Sequence, residues 1–203
     1  MFDAHAHIGT KTDNALICTS SPDEAINASG FRYISAGLLP ESGSDGIELY
    51  RECIKRGYSS GEIGLDRRFD GKEHQIGLFR ESLITAIEYD RLITIHSVGY
   101  TDILLREIRN ARPKRFIIHG FTGSYETAKE ITALGGLISL GPRSLRSKDI
   151  KRLITLPFTA ESDMKTGEEQ QAVLQYVIRG LSIIAGTDIE EKADCCIKEI
   201  LDD

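Results

Sequence analysis

The 203 residues are 40% hydrophobic and 28% charged, proportions that exclude a disordered or fibrous chain. Set against the roughly 150 residues of a common domain, the length predicts one domain over 1–203. The net charge of −6 excludes a general electrostatic pull on nucleic acid, so an anionic substrate has to be attracted locally. No apolar run is long enough to span a bilayer, so no membrane segment is expected. The opening Met1-Phe2-Asp3-Ala4-His5-Ala6-His7 lacks both the basic and the apolar region of a secretory signal, and none is expected. Cys18, Cys53, Cys195 and Cys196 form neither a disulfide framework nor a zinc-finger spacing. A reduced, cytoplasmic setting is expected, and no obligate protein partner is implied.

Short β-rich runs alternate with helical patterns along the chain. Strands are expected at Phe2–Ile8, Ala15–Thr19, Tyr33–Leu38, Ser60–Leu65, Leu92–Ser97, Arg115–Gly120, Leu137–Leu140 and Ile154–Ala160. The stretch after the second strand leaves room for one short helix, Pro22 to Ala28. Asp45 to Arg56 reads as a helix. Ile76, Phe79, Leu83 and Ile87 recur at three and four residues and so share one helical face. Ser124, with Glu126 in the first turn, caps a helix that Gly135 and Gly136 close. Glu168 to Arg179 reads as a further helix. Strand–helix alternation argues for parallel strands with right-handed crossovers. Eight units give a compact (β/α)8 TIM-like barrel in the α/β class. At roughly 25 residues per unit it has to be trimmed, with at least one helix reduced or missing. An open doubly wound sheet is the alternative.

Histidine is rare, yet four of the five fall where a barrel keeps its chemistry. His5 and His7 lie two apart on the first strand, so with Asp3 they point to one face. His96 ends the fifth expected strand and His119 the sixth, and strand C-termini carry the active sites of such barrels. Only His74 lies elsewhere. Glu62 belongs to the fourth strand and Asp163 follows the eighth. Singly, each has an ordinary reading: a packed or surface histidine, an ion-paired carboxylate, glycines at 61 and 64 that relieve crowding. Jointly, four imidazoles and two carboxylates form a nitrogen–oxygen site suited to Zn²⁺, Mn²⁺, Fe²⁺, Ni²⁺ or Mg²⁺. Six ligands exceed what one tetrahedral zinc needs. A pair of divalent ions bridged by Glu62 uses them all.

These residues, in this order, resemble the TatD family of metal-dependent deoxyribonucleases, within the amidohydrolase-like barrels. The likeness runs through Asp3-Ala4-His5-Ala6-His7, then Gly61-Glu62-Ile63-Gly64-Leu65-Asp66 with Gln75, Phe79 and Ala86 in register. It continues through Ile95-His96-Ser97, His119-Gly120-Phe121-Thr122-Gly123 and Glu161-Ser162-Asp163. The resemblance implies that His5, His7, Glu62, His96, His119 and Asp163 bind metal, and that the reaction is phosphodiester hydrolysis, typically from a DNA end. Three positions depart from the family pattern near the substrate groove. Val98 stands where an arginine is usual, Leu39 where a histidine precedes the proline, and Met164-Lys165 where a small residue and a proline follow the aspartate. The chain is also shorter than the usual member.

On this reading two divalent ions bring the pKa of a water towards about 7. Glu62 and Asp163 are the catalytic carboxylates, with Asp163 taking up the proton and passing it to the leaving oxygen. Asp3 is expected to orient a metal-bound histidine. Arg67, Arg68 and Arg143 are candidate phosphate contacts, with Arg146 and Lys148 behind them, against the alternative of solvated surface cations. The expected partner is nucleic acid or a small phosphodiester, with no membrane. Two other functions fit the same residues: hydrolysis of an amide, lactone or nucleobase, or a metal-binding scaffold without catalysis. A carboxylated lysine bridges the metals in many amide-cleaving relatives, and Glu62 in its place favours the phosphodiesterase.

Overall fold

A computed structural model describes residues 1–40 and 44–202. Its strands are β1 (Asp3–Ala6), β2 (Ala15–Cys18), β3 (Tyr33–Leu38), β4 (Ser59–Asp66), β5 (Ile93–Val98), β6 (Phe116–Ile118), β7 (Gly136–Leu140) and β8 (Phe158–Ala160). Between them run the helices α1 (Pro22–Asn27), α2 (Ile47–Lys55), α3 (Lys72–Glu88), α4 (Thr101–Ala111), α5 (Tyr125–Ala133) and α6 (Ile150–Leu153). The helices α7 (Glu168–Ala185) and α8 (Glu190–Asp202) follow the last strand. The strands form one eight-stranded sheet in the order of the sequence, with parallel pairing at β3–β4, β4–β5 and β7–β8. Sequential order is that of the (β/α)8 class, whereas a doubly wound sheet reverses its order midway. The economy expected from the length falls on the first unit: residues 7–14 join β1 to β2 without a helix, and α1 has six residues.

The described chain divides into two compact units, Ile17–Ile117 in one, and Met1–Leu16 with the chain from Ile118 onward in the other. The boundaries fall inside β2 and β6, not in linkers.

In the central unit, α1 starts as its sequence requires. The Ser21 hydroxyl accepts the Glu24 amide, Pro22 occupies the first helical turn, and the Glu24 carboxylate returns to the Ser20 amide at 2.8 Å. On α3, Ile76, Phe79 and Leu83 are buried as their spacing predicts. Ile87, expected on the same face, is 37% exposed in the helix's last turn. Burial of each such side chain contributes about 1.5–3 kcal/mol. The fully buried Tyr50 of α2 bonds the Ser60 hydroxyl at 2.6 Å and donates to the Ser82 carbonyl at 3.1 Å. It thereby ties α2 to both β4 and α3, and burial pushes its phenol well above the usual range.

In the other unit, Ser124 caps α5 by accepting the Thr127 amide, and Gly135 turns the chain out with φ +88°, as expected. Gly136 then opens β7. The eighth strand begins at Phe158 instead of Ile154. Ile150–Leu153 forms the single turn α6, and the strand starts only after Pro157. Helix α8 packs on β8 and buries Ala193 and Ile197. Its sequence, rich in Glu, Asp and Lys, hides that narrow i, i+4 stripe. The residues after β8 run beside β1: Asp163 donates its amide to the His5 carbonyl at 3.0 Å, His7 to Met164 at 2.9 Å, and Thr166 to His7 at 3.1 Å. Among the described residues no single helix is long and apolar enough to cross a membrane.

Candidate metal centre

The ladder between β1 and the post-β8 segment brings the first cluster together. His5 is fully buried on β1, and His7 follows two residues on, past the strand's end. Their rings meet edge to face at 5.2 Å. The His5 ring stacks on that of His119 at 4.0 Å with 13° between planes. His119 stands one residue beyond β6. Asp163 Oδ1 lies 3.3 Å from His7 Nε2 and 3.8 Å from His5 Nε2. One donor atom from each of His5, His7 and Asp163 lies within 4.8 Å of the other two. Two imidazole nitrogens and a carboxylate oxygen at this spacing fit a divalent cation of borderline hardness.

Asp163 is held there in the left-handed region, φ +58°, which aspartate tolerates better than most residues. Its amide bond to His5 and the Ser162 hydroxyl beneath the Met164 amide fix that turn. Burial acts to raise the Asp163 carboxyl. The His7 hydrogen bond and the nearby His5 and His119 rings outweigh it, so the group lies below the usual carboxylate range. Asp3, expected to orient an imidazole, is turned to the backbone instead. Its Oδ1 accepts the amides of His5 and Ser162 at 3.2 and 3.0 Å, and its Oδ2 accepts Gln170 Nε2 at 2.6 Å. It thus fixes the two segments that carry His5 and Asp163. Burial dominates its own titration and pushes its carboxyl up.

The second cluster stands at the ends of β4 and β5, where Gly64 pairs with His96. A Cβ at Gly64 would lie 1.9 Å from the His96 carbonyl, and one at Gly61 2.5 Å from that of Thr94, so both glycines are required by close approach. His96 Nδ1 lies 3.5 Å from Glu62 Oε2, and its Nε2 3.1 Å from Asp66 Oδ2. With the Nε2 proton assigned to the Asp66 bond, the Nδ1 lone pair faces the side of Glu62, the arrangement of a carboxylate-oriented metal ligand. Burial disfavours the Asp66 charge. The Arg68 guanidinium, the Arg68 amide and His96 more than offset it, and Asp66 is held far below the usual range. Gln75 completes the support: it accepts the Asp66 amide at 2.9 Å and donates to the carbonyls of Asp66, Phe69 and Asp70.

The candidate anion contacts separate. Arg68 is committed to Asp66, with Nε 2.9 Å from both carboxylate oxygens. Arg67 is exposed, and its stem crosses Gly99, where a Cβ would meet its Cδ at 2.2 Å. That path runs beside Val98, whose carbonyl accepts the Arg67 amide. Arg143 Nη2 lies 3.6 Å from Asp163 Oδ2. Arg146 and Lys148 are exposed. Two carboxylates in the centre were not singled out from sequence. Asp66 is four residues after Glu62 and Glu161 two before Asp163, and that even spacing in or beside a strand was the available signal.

A family description, "TatD related DNase", matches residues 27–199. The chain is 30% identical over 155 residues, 68% of its length, to an uncharacterized metal-dependent hydrolase of Buchnera aphidicola. It is 30% identical over 126 residues, 56% of its length, to YjjV of Escherichia coli, likewise described as an uncharacterized metal-dependent hydrolase. These matches span 59% and 49% of the two relatives' own lengths. The crystal structure of E. coli YjjV superposes with a TM-score of 0.80 at 21% identity, covering 97% of this chain and 95% of that one, which establishes the shared fold. Histidines and acids that gather at strand ends on such a fold, over a match this long, are those of a member: the chain belongs to the TatD-related DNase family.

Proposed function

We propose that the protein is a divalent-metal-dependent phosphodiesterase, acting on DNA ends or a related phosphodiester. The observation that carries this reading is the convergence of His5, His7 and Asp163 donor atoms within 4.8 Å. His5, His7, His119 and Asp163 in one cluster, and Glu62 and His96 in the other, would hold the divalent ions. When bound, the ions supply hydroxide near neutral pH and neutralise charge on the phosphoryl oxygens.

The remaining work falls to the chain. Asp163, ionised at neutral pH because the imidazoles around it offset its burial, accepts the proton of the attacking water at a carboxylate oxygen and returns it to the leaving oxygen. Asp3 and Gln170 keep its segment in place. Arg67 and Arg143 draw in the phosphate locally, as a chain of net charge −6 requires. Arg68 supports Asp66 and is not a clamp. A reducing, cytoplasmic setting is part of the same proposal.

End-labelled DNA, bis-p-nitrophenyl phosphate, a lactone and an amide, each assayed with and without EDTA, test the reading. Phosphodiester turnover should vanish with chelator and return with Mn²⁺ or Zn²⁺. Chelator-insensitive turnover, or turnover of the lactone or amide alone, overturns it.

A further inference from the structure

Glu161 is 1% exposed, and a buried carboxylate is costly unless it is partnered. Its Oε1 accepts the Gly120 amide at 2.8 Å and lies 3.7 Å from His119 Nδ1. Its Oε2 is buried without a hydrogen bond among the described residues. The surroundings are shaped around this group. A Cβ at Gly141 would stand 3.1 Å from both Cγ and Oε1 of Glu161, and one at Gly120, where φ is +57°, would stand 3.6 Å from Oε1. Gly141 therefore leaves room for a carboxylate that could have been an apolar residue at less cost. The other cluster offers a parallel: there the buried Asp66 faces one ring nitrogen of His96 and leaves the second towards Glu62.

We propose that Glu161 is a positioning residue that holds the His119 imidazole, through its Nδ1 side, in the orientation and tautomer that offers Nε2 to a divalent cation. The proposal rests on the reading of His119 as a ligand. A carboxylate behind a ligating imidazole raises its basicity and fixes its tautomer, and loss of such a partner weakens metal binding about 10–100-fold. A purely structural Glu161, serving only the Gly120 amide, makes a different forecast. Glu161→Gln keeps an acceptor for that amide and the shape of the side chain, and would leave metal affinity unchanged.

The experiment is competition for Zn²⁺ between a chromophoric chelator and the full chain, on wild type, Glu161→Gln and His119→Gln, with thermal unfolding of the metal-free proteins alongside. Glu161→Gln should bind Zn²⁺ at least about tenfold more weakly while its metal-free unfolding matches wild type. Long-range ¹H–¹⁵N spectra of the metal-free wild type should show His119 as the Nδ1–H tautomer. Zn²⁺ affinity of Glu161→Gln within about twofold of wild type, with His119→Gln weakened, overturns the positioning role alone. If His119→Gln also binds as wild type does, the assignment of His119 as a ligand fails, and this inference with it. Should Glu161→Gln not fold, Gly141→Ala, which presses a methyl group on Glu161, is read in the same way: a several-fold loss of affinity supports the role and an unchanged affinity overturns it.

Discussion

The two histidine–carboxylate clusters solve the same problem from opposite charge balances. Around Asp163 one carboxylate faces the rings of His5, His7 and His119, with Arg143 at its far side. Around His96 one imidazole stands between two buried carboxylates, Glu62 and Asp66, and Arg68 offsets the excess. The first has an excess of imidazole nitrogens, the second an excess of carboxylates. The first hangs largely on backbone, a left-handed turn paired with the β1 segment and assisted by Asp3 and Ser162, whereas the second hangs on side chains, chiefly Arg68 and Gln75. A cluster held by backbone tolerates isosteric side-chain changes without unfolding. One held by side chains loses local order when a supporting group is removed.

The comparison breaks outright if either acid proves dispensable. Glu62→Gln and Asp163→Asn should each lower turnover of bis-p-nitrophenyl phosphate by at least about 100-fold, with circular dichroism unchanged. Asparagine tolerates the left-handed turn at 163 as aspartate does. Retained activity in a Glu62→Gln sample of verified metal content would remove Glu62 from the proposed ligands. Loss in Glu62→Gln beside full activity in Asp163→Asn would assign the chemistry to one cluster.

A smaller effect tests the claim about support. Gln75→Met removes the acceptor of the Asp66 amide and the donor to three carbonyls. Stranding buried backbone groups costs about 1–3 kcal/mol, measurable as a lower urea midpoint. Protection of the Asp66 and Arg68 amides from hydrogen exchange should fall with it, while the amide of Asp163 keeps its protection. Equal loss of protection in both places would erase the distinction between the clusters.

Sequence carried the strand positions, the start of β8 excepted, and pointed to the six proposed ligands, because both readings rest on local pattern and motif. Alternation puts His5 and His7 on one face, and the Gly61 and Gly64 spacing reports a backbone approach that only glycine permits. What stayed hidden depends on partners distant in the chain. Asp3 could have met a histidine ring or an amide, and only the ladder with Ser162 decides it. Arg67 and Arg68 are neighbours of like charge, yet one is bound to Asp66 and the other crosses Gly99. Glu161 read as part of a motif, and its burial beside His119 depends on β6, β7 and β8 together. Helix α8 went unseen because Ala193 and Ile197 alone mark its buried stripe.

The pair at 67 and 68 gives a graded test on the same footing. Arg67→Ala should raise KM for DNA about two- to fivefold, the size of an exposed charge contact, and leave KM for bis-p-nitrophenyl phosphate almost unchanged. Arg68→Ala should instead act on both substrates alike, because it frees Asp66 and so loosens His96. Identical profiles for the two variants would mean that neither contacts the polymer selectively.

The smallest effect lies away from both clusters, where α3 meets α4. Glu107 is buried, and its carboxylate accepts Arg80 Nε and Nη2, with Arg106 adding to Oε1. The Arg80 hydrogen bond comes first in holding Glu107 below the usual range. It prevails over burial, and Arg106 assists. A carboxyl depressed in the folded state stabilises it fully above the unfolded pKa of about 4.3, and that contribution fades as pH falls through the lower folded value. Glu107→Gln should therefore cost no more than about 1 kcal/mol at pH 7, since Arg80 is half-exposed and solvent screens the pair. The difference from wild type in urea unfolding should shrink steadily from pH 5 to pH 3. A gap that holds or widens over that range would mean that Glu107 acts through packing and not through its charge.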